Sequence, residues 1–227
     1  MQLYKTTPID TISGIPVFCT YTKYIANYDE IAQTHMRYVE KGIPNPWDPT
    51  DFIQLQTAEF FVYINGYYKL QYNTLDAGIG LGELYDHFEC PNKYGVDISL
   101  DYLKIVKNKG INVCKAILED LPYTSEYFDM IFCKNVLEHV LNLHAVISEF
   151  YRILKPGGYL IIQTPYNQNL KEYATTYKEY DYVHLRSFDE WNLILLFEKI
   201  FNFKVLNYRI ATYKPSIDII TMIIQKN

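Results

Sequence analysis

Residues 75 to 83 read LDAGIGLGE, three glycines alternating with apolar residues just after a hydrophobic run that carries an aspartate, Asp76. A loop this poor in side chains lets a ligand approach the backbone closely. The next apolar run, YGVDI, places Asp97 near its end. A carboxylate there can accept hydrogen bonds from both hydroxyls of a ribose. Gly78, Gly80 and Gly82 together with Asp97 therefore predict a site for an adenosine-containing cofactor. A nicotinamide dinucleotide requires G-x-G-x-x-G, with its pyrophosphate at the start of the following helix. This chain has G-x-G-x-G, and Glu83 stands where that helix opens and would repel a pyrophosphate. A cofactor without phosphates but with an amino-acid tail, such as S-adenosylmethionine, escapes that repulsion. The competing reading of the loop is a tight turn that only packs a helix on a strand.

Two histidines could move a proton. His139 lies in NVLEHV and His184 in DYVHLRSF. An alcohol acceptor must lose its proton as it reacts, so a general base or a metal is wanted near it. Each histidine also has a bracing alternative. His139 could only hold its loop, and His184 could anchor its segment through Arg186 and the helix start at Ser187. His35, His87 and His144 read as surface or packing residues.

The elements that must position these groups begin near residue 73. NTLDAG (73–78), YGVDI (94–98), INVCKAI (111–117), FDMIFC (128–133), YLIIQTP (159–165), FKVLNYRI (203–210) and IDIITMIIQ (217–225) read as seven strands. Helical patterns fill 82–89, 99–109, 142–154 and 188–201. Alternation of apolar strands with helices predicts an α/β fold with a mostly parallel sheet covered on both faces. Too few residues separate the last two strands for a crossover helix, so that pair should be antiparallel. In such a sheet a ligand sits beyond the carboxyl ends of the strands, which is where the glycine loop, Asp97 and His139 fall.

Upstream, 25–42 reads as a helix with Ile31, His35, Tyr38 and Val39 on one face. Pro44, Pro46 and Pro49 mark a turn-rich connector, and a second helical run follows at about 51–70. Residues 1–70 are expected to form a helical cap on a domain spanning 71–227. The long loop after the fifth strand, within 165–187, is expected to be a lid and acceptor wall.

The ordered motifs LDAGIGLG, GVDIS, LEDLPYTSEYFDMIFCKNVLEHV, RILKPGGYLIIQTPYN and HLRSF resemble those of the class I S-adenosylmethionine-dependent methyltransferases, over residues 73 to about 208. The resemblance implies a Rossmann-like seven-stranded sheet with an antiparallel last strand. It implies that Asp76 and the Gly78–Gly82 loop hold the methionine tail, that Asp97 binds the ribose and that Ile98 packs on the adenine. It puts Leu118 and Glu119 at the adenine edge, although relatives with D-A-E-D-L-P-F have an aspartate where this chain reads Ile117-Leu118-Glu119. Asn135 would face the cofactor and the active-site mouth. Ubiquinone-type relatives have an E-x-x-E-H arrangement that holds magnesium; here only Glu138 and His139 remain, because Asn135 replaces the first glutamate, and no required metal is expected. The QTPYNQ and HLRSF segments also resemble methyltransferases of bacterial surface glycans and nucleotide-linked sugars. The implied activity is O-methylation of a sugar hydroxyl in a nucleotide-linked sugar or capsule precursor. An aromatic or quinone acceptor, a nitrogen or phosphate-like acceptor, and a non-catalytic cofactor-binding scaffold stay open.

Bulk composition fits these expectations. Hydrophobic residues make up 49% of 227, enough for a packed core, and the formal net charge is -5. An acidic chain argues against a nucleic-acid substrate, and Lys104, Lys107 and Lys109 read as the solvated end of a helix. Cys19, Cys90, Cys114 and Cys133 show no CxxC spacing; Cys114 and Cys133 fall in apolar runs, and reduced thiols fit a cytoplasmic protein. The first ten residues lack the apolar stretch of a signal peptide, and LILLF at 193–197 is too short to span a membrane. The 23 tyrosines read as composition bias before they read as a stacking surface.

Overall fold

The computed structural model describes residues 2–42, 73–87, 89–176, 184–214 and 217–227. The connector with Pro44, Pro46 and Pro49 and the helical run at 51–70 lie outside the described residues. A mixed sheet forms the centre, with nine strands among the described residues: β1 (Asp10–Ile12), β2 (Ile15–Val17), β3 (Asn73–Ala77), β4 (Asn92–Asp97), β5 (Asn112–Lys115), β6 (Phe128–Lys134), β7 (Leu154–Tyr166), β8 (Phe203–Lys214) and β9 (Ile217–Lys226). Their spatial order is β1-β2-β5-β4-β3-β6-β7-β9-β8. Strands β3 to β7 run parallel, and β9 is antiparallel to both β7 and β8.

The seven expected strands are β3 to β9. The sheet is wider than expected by the hairpin β1–β2, which pairs through Val17 with Lys115 on β5. Ser13 and Gly14, both at positive φ (52° and 70°), make its two-residue turn. Three-residue strands are too short to show alternation, so the sequence pattern passes over them.

The helices are α1 (Lys23–Glu40), α2 (Leu100–Asn108), α3 (Leu143–Ile153), α4 (Lys171–Thr176) and α5 (Glu190–Ile194), the last continuing as a wider π-type turn over Leu195–Ile200. The expected helix at 82–89 is a single 3-10 turn, Glu83–Asp86. Thr22 caps α1 by accepting from the Ile25 amide, and Asn142 caps α3 by accepting from Ala145. On α1 the inward stripe is Ile25, Tyr28, Ala32 and His35, spaced by three and four residues; Val39 is exposed. The helix is therefore rotated from the face the sequence suggested, because its partners are aromatic and polar side chains that an apolar count underweights.

The core occupies both faces of the sheet. One side gathers Leu75, Val96, Ile131, Leu160 and Met222 with Phe150 of α3 and Phe197. The other gathers Phe132, Ile161 and Ile223 with Leu103 and Val106 of α2. Each such side chain contributes about 1.5–3 kcal/mol when removed from water. Cys114 and Cys133 are fully buried in this core, as their apolar runs imply. Lys104 pairs with Asp101, Lys109 with Asp86, and Lys107 donates to the Ser13 carbonyl. No helix among the described residues is long and apolar enough to cross a membrane.

Candidate functional site

Strand order reverses between β3 and β6, so the loops after these strands diverge and leave a crevice at their carboxyl ends. The glycine loop lines one side. Gly78, Gly80 and Gly82 all have positive φ (83°, 51° and 74°). At Gly78 a Cβ would meet Val136 Cγ2 at 2.3 Å, so the loops after β3 and β6 touch there. At Gly80 a Cβ would meet nothing within 4 Å. That open space over a bare peptide is the cradle a close-lying ligand needs.

Asp97, the last residue of β4, holds the loop in place. Its Oδ2 accepts from the Gly80 amide at 3.0 Å and its Oδ1 from the Ser99 amide at 2.8 Å. Burial raises its pKa while those backbone donors oppose the rise. Each oxygen keeps a second lone pair for a ribose hydroxyl. Ile98 follows, half-buried, beside the crevice, and the Ser99 hydroxyl is buried with no hydrogen-bond partner among the described residues. Asp76 lies deeper on β3, 3% exposed, and burial pushes its pKa up to about 8. The field of Lys134 opposes that rise, and a cationic amine bound beside the carboxylate would oppose it further. The donors, the open cradle and the acidic pair all fit S-adenosylmethionine, which carries a ribose, an ammonium and a sulfonium.

Leu118 and Glu119 lie just after β5. Leu118 is 6% exposed in the main core. Glu119 Oε1 accepts from the amides of Leu141 and Asn142 at 3.0 and 3.1 Å, which fastens the start of α3. Asn135 turns the chain after β6 at φ 53°, its amide donating to the Gln163 carbonyl of β7 at 2.8 Å.

The histidines come together. The rings of His139 and His184 lie edge to face with centroids 4.7 Å apart. Sequence distance hides this contact; a clamp produces it. Arg186 donates to the carbonyls of Leu137 (2.9 Å), Val140 and Leu141 (3.3 Å), and the Leu185 amide donates to the Glu138 carbonyl at 2.8 Å. The Tyr166–Phe188 bridge and the Asn167 amide pin the base of the same segment. His184 Nδ1 faces Gln168 Oε1 and the Tyr173 hydroxyl, and Tyr173 stacks on the ring. Burial lowers its pKa to about 4, so the imidazole is neutral.

Glu138 completes the group and was singled out from the sequence only as a metal candidate. It is 1% exposed, accepts from Thr164 Oγ1 at 3.0 Å, and burial raises its pKa to about 7. One donor atom each from Glu138, His139 and His184 lies within 4.8 Å of the others. Magnesium does not fit this set. Magnesium wants six oxygen donors, whereas Asn135 removes one carboxylate and two of the three donors here are imidazoles.

The helix α1 roofs the crevice, a contact no motif announces. Tyr24 Oη donates to the His139 carbonyl at 2.9 Å, and Tyr28 sits edge-on to the His139 ring. Asp29 accepts from the Leu100 amide at 3.2 Å, capping α2 from outside, and pairs with the buried Lys115 at 3.5 Å. The hydrogen bond of His35 to Tyr102 Oη, 2.8 Å, ties α1 to α2 further along.

A family model described as a methyltransferase domain matches residues 75–162. A ubiquinone biosynthesis O-methyltransferase of Glaesserella parasuis is 31% identical over 163 residues, covering 64% of this chain and 69% of that one. An uncharacterized protein of Methanocaldococcus jannaschii is 43% identical over 94 residues, 41% of each chain. The chain thus spans about two-fifths of the length of that relative. Among solved structures, a possible histamine N-methyltransferase from Thermotoga maritima superposes with a TM-score of 0.67 at 20% identity, covering 90% of this chain and 100% of that one. The [4+2]-cyclase SpnF superposes at 0.68 and 16% identity, covering 95% and 99%. At these identities the superpositions show the shared fold. The crevice, its acidic and glycine-lined walls and the sequence matches agree, and the chain belongs to the class I S-adenosylmethionine-dependent methyltransferase family.

Proposed function

We propose that the protein transfers a methyl group from S-adenosylmethionine to an oxygen of a small polar acceptor, a sugar hydroxyl in a nucleotide-linked sugar or surface-polysaccharide precursor. The single observation that carries the oxygen reading is the Glu138–His139–His184 cluster beside the cofactor crevice. Tyr173 and Gln168 against His184 support a polyol, since they offer a flat ring and an amide.

Bound S-adenosylmethionine supplies an electrophilic methyl group on a sulfonium that leaves readily. The chain's own task is then to align acceptor and methyl and to take a proton. Asp76, Gly78, Gly80 and Gly82 hold the amino-acid tail, Asp97 the ribose, and Ile98, Leu118 and Glu119 border the adenine. Asn135 would face the cofactor and the active-site mouth. His139 or His184 accepts the hydroxyl proton; the burial that keeps His184 neutral makes it a weaker base than an ordinary imidazole. Helix α1 serves as the cap, 71–227 as the catalytic domain and 165–187 as the acceptor wall. A quinone-type acceptor is the second reading, favoured by the Glaesserella relative.

The test is mass spectrometry after incubation with S-adenosylmethionine and two panels, nucleotide-linked sugars and hydroxylated quinone precursors. A product heavier by one methylene in the sugar panel supports the proposal. Product only in the quinone panel replaces the acceptor, and cofactor binding without any product favours a scaffold.

A further inference from the structure

The donor set that fails magnesium has a preference of its own. Glu138, His139 and His184 converge from two segments, the loop after β6 and the stretch clamped by Arg186, and their donor atoms lie within 4.8 Å of one another. Around a tetrahedral ion with bonds of about 2.0–2.1 Å, neighbouring donors stand roughly 3.4 Å apart. The widest gap must therefore close by roughly 1.4 Å, within the reach of small side-chain rotations. Two imidazoles and one carboxylate suit borderline divalent transition metals rather than hard cations.

The outer partners are also those of a metal site. Gln168 Oε1 can only accept, so it fixes the proton of His184 on Nδ1 and turns Nε2 into a donor of electrons. Gln168 is itself oriented by its Nε2 donating to Tyr173 Oη at 3.2 Å. Thr164 holds one oxygen of Glu138. Fixing tautomer and carboxylate in this way is how a second layer tunes ligands.

We propose that Glu138, His139 and His184 bind a divalent transition cation of the zinc class, in preference to magnesium. This binding does not depend on the proposed methyl transfer. Only its use as an anchor for an acceptor oxygen rests on that reading, and there the cation takes the place of the histidine base, since coordination occupies the lone pair with which an imidazole would accept the proton.

The experiment is calorimetric titration of the chelator-treated, full-length protein with Zn2+, alone and in a large excess of Mg2+. One site is expected, insensitive to Mg2+. His184→Ala should weaken it by about a hundredfold or more, and Gln168→Ala by roughly 10–100-fold, the range for outer partners. S-adenosylmethionine affinity, read in the same samples, reports whether each variant is folded and keeps the cofactor reading separate. X-ray absorption of the Zn2+-loaded wild type needs no variant and should show imidazole and oxygen neighbours. No Zn2+ binding, displacement by Mg2+, an unchanged site in folded His184→Ala, or a sulfur shell from cysteine would each overturn the proposal.

Discussion

Asp97 and Asp76 do different work. Asp97 spends backbone hydrogen bonds to stay in place, so its remaining lone pairs are aimed before a ligand arrives. Asp97→Ala should weaken S-adenosylmethionine binding by about 1–3 kcal/mol, the cost of a lost hydrogen bond to a charged group. Calorimetry at fixed pH reads this, and an unchanged affinity removes Asp97 from the site. Asp76 carries its pKa of about 8 against an ordinary 3.8 because it is buried. A raised folded-state pKa means that stability from this group is full below about pH 4, where both states are protonated. It is then lost as pH rises through about 8. The melting temperature of cofactor-free protein should therefore fall across that window more steeply than that of Asp76→Asn. Saturating S-adenosylmethionine, a cation, should flatten the wild-type curve; matching curves for wild type and variant would place the titration elsewhere.

At the scale of elements, the site is an agreement between loops. The glycine loop touches the loop after β6 through Gly78 and Val136 and leaves space above Gly80. Gly78→Ala should cost folding stability through both its φ of 83° and the clash, about 2 kcal/mol or more. Gly80→Ala has room for its methyl, so only the left-handed strain of about 1–2 kcal/mol is paid in folding, but the methyl enters the cradle. Its cofactor affinity should drop more than its stability does, and denaturant titration beside calorimetry separates the two. Arg186 serves the other wall. Arg186→Met frees three carbonyls and the segment that carries His184. A displacement near 1 Å can cost roughly a hundredfold in rate, so turnover should fall by about that factor while cofactor affinity holds. Normal turnover in this variant would detach His184 from the chemistry.

For the whole molecule, the sheet's reversal between β3 and β6 decides where everything meets. The core on both faces keeps the strand ends rigid, and α1 crosses over them, fastened at Tyr24, Asp29 and His35. The opening of the crevice thus depends on chain that precedes the first motif by some distance. The hairpin β1–β2 extends the sheet beyond β5 on the same side, so the N-terminal stretch joins the domain through main-chain pairing as well as through α1.

The sequence by itself determined the alternating α/β core, the seven strands from β3 to β9, the antiparallel last pair and the glycine loop with Asp97. These are local: an apolar run, a glycine at a required positive φ, and a connection too short for a crossover are legible within a few residues. Tertiary structure alone decided that His184 stands against His139, since 45 positions separate them in the chain and the Arg186 clamp works through backbone carbonyls that carry no residue signature. It alone turned Glu119 toward the start of α3, put Leu118 in the core and laid α1 across the mouth. Hydrogen bonds between distant segments are chosen by geometry after the core has formed, and residue type offers only the capacity to make them.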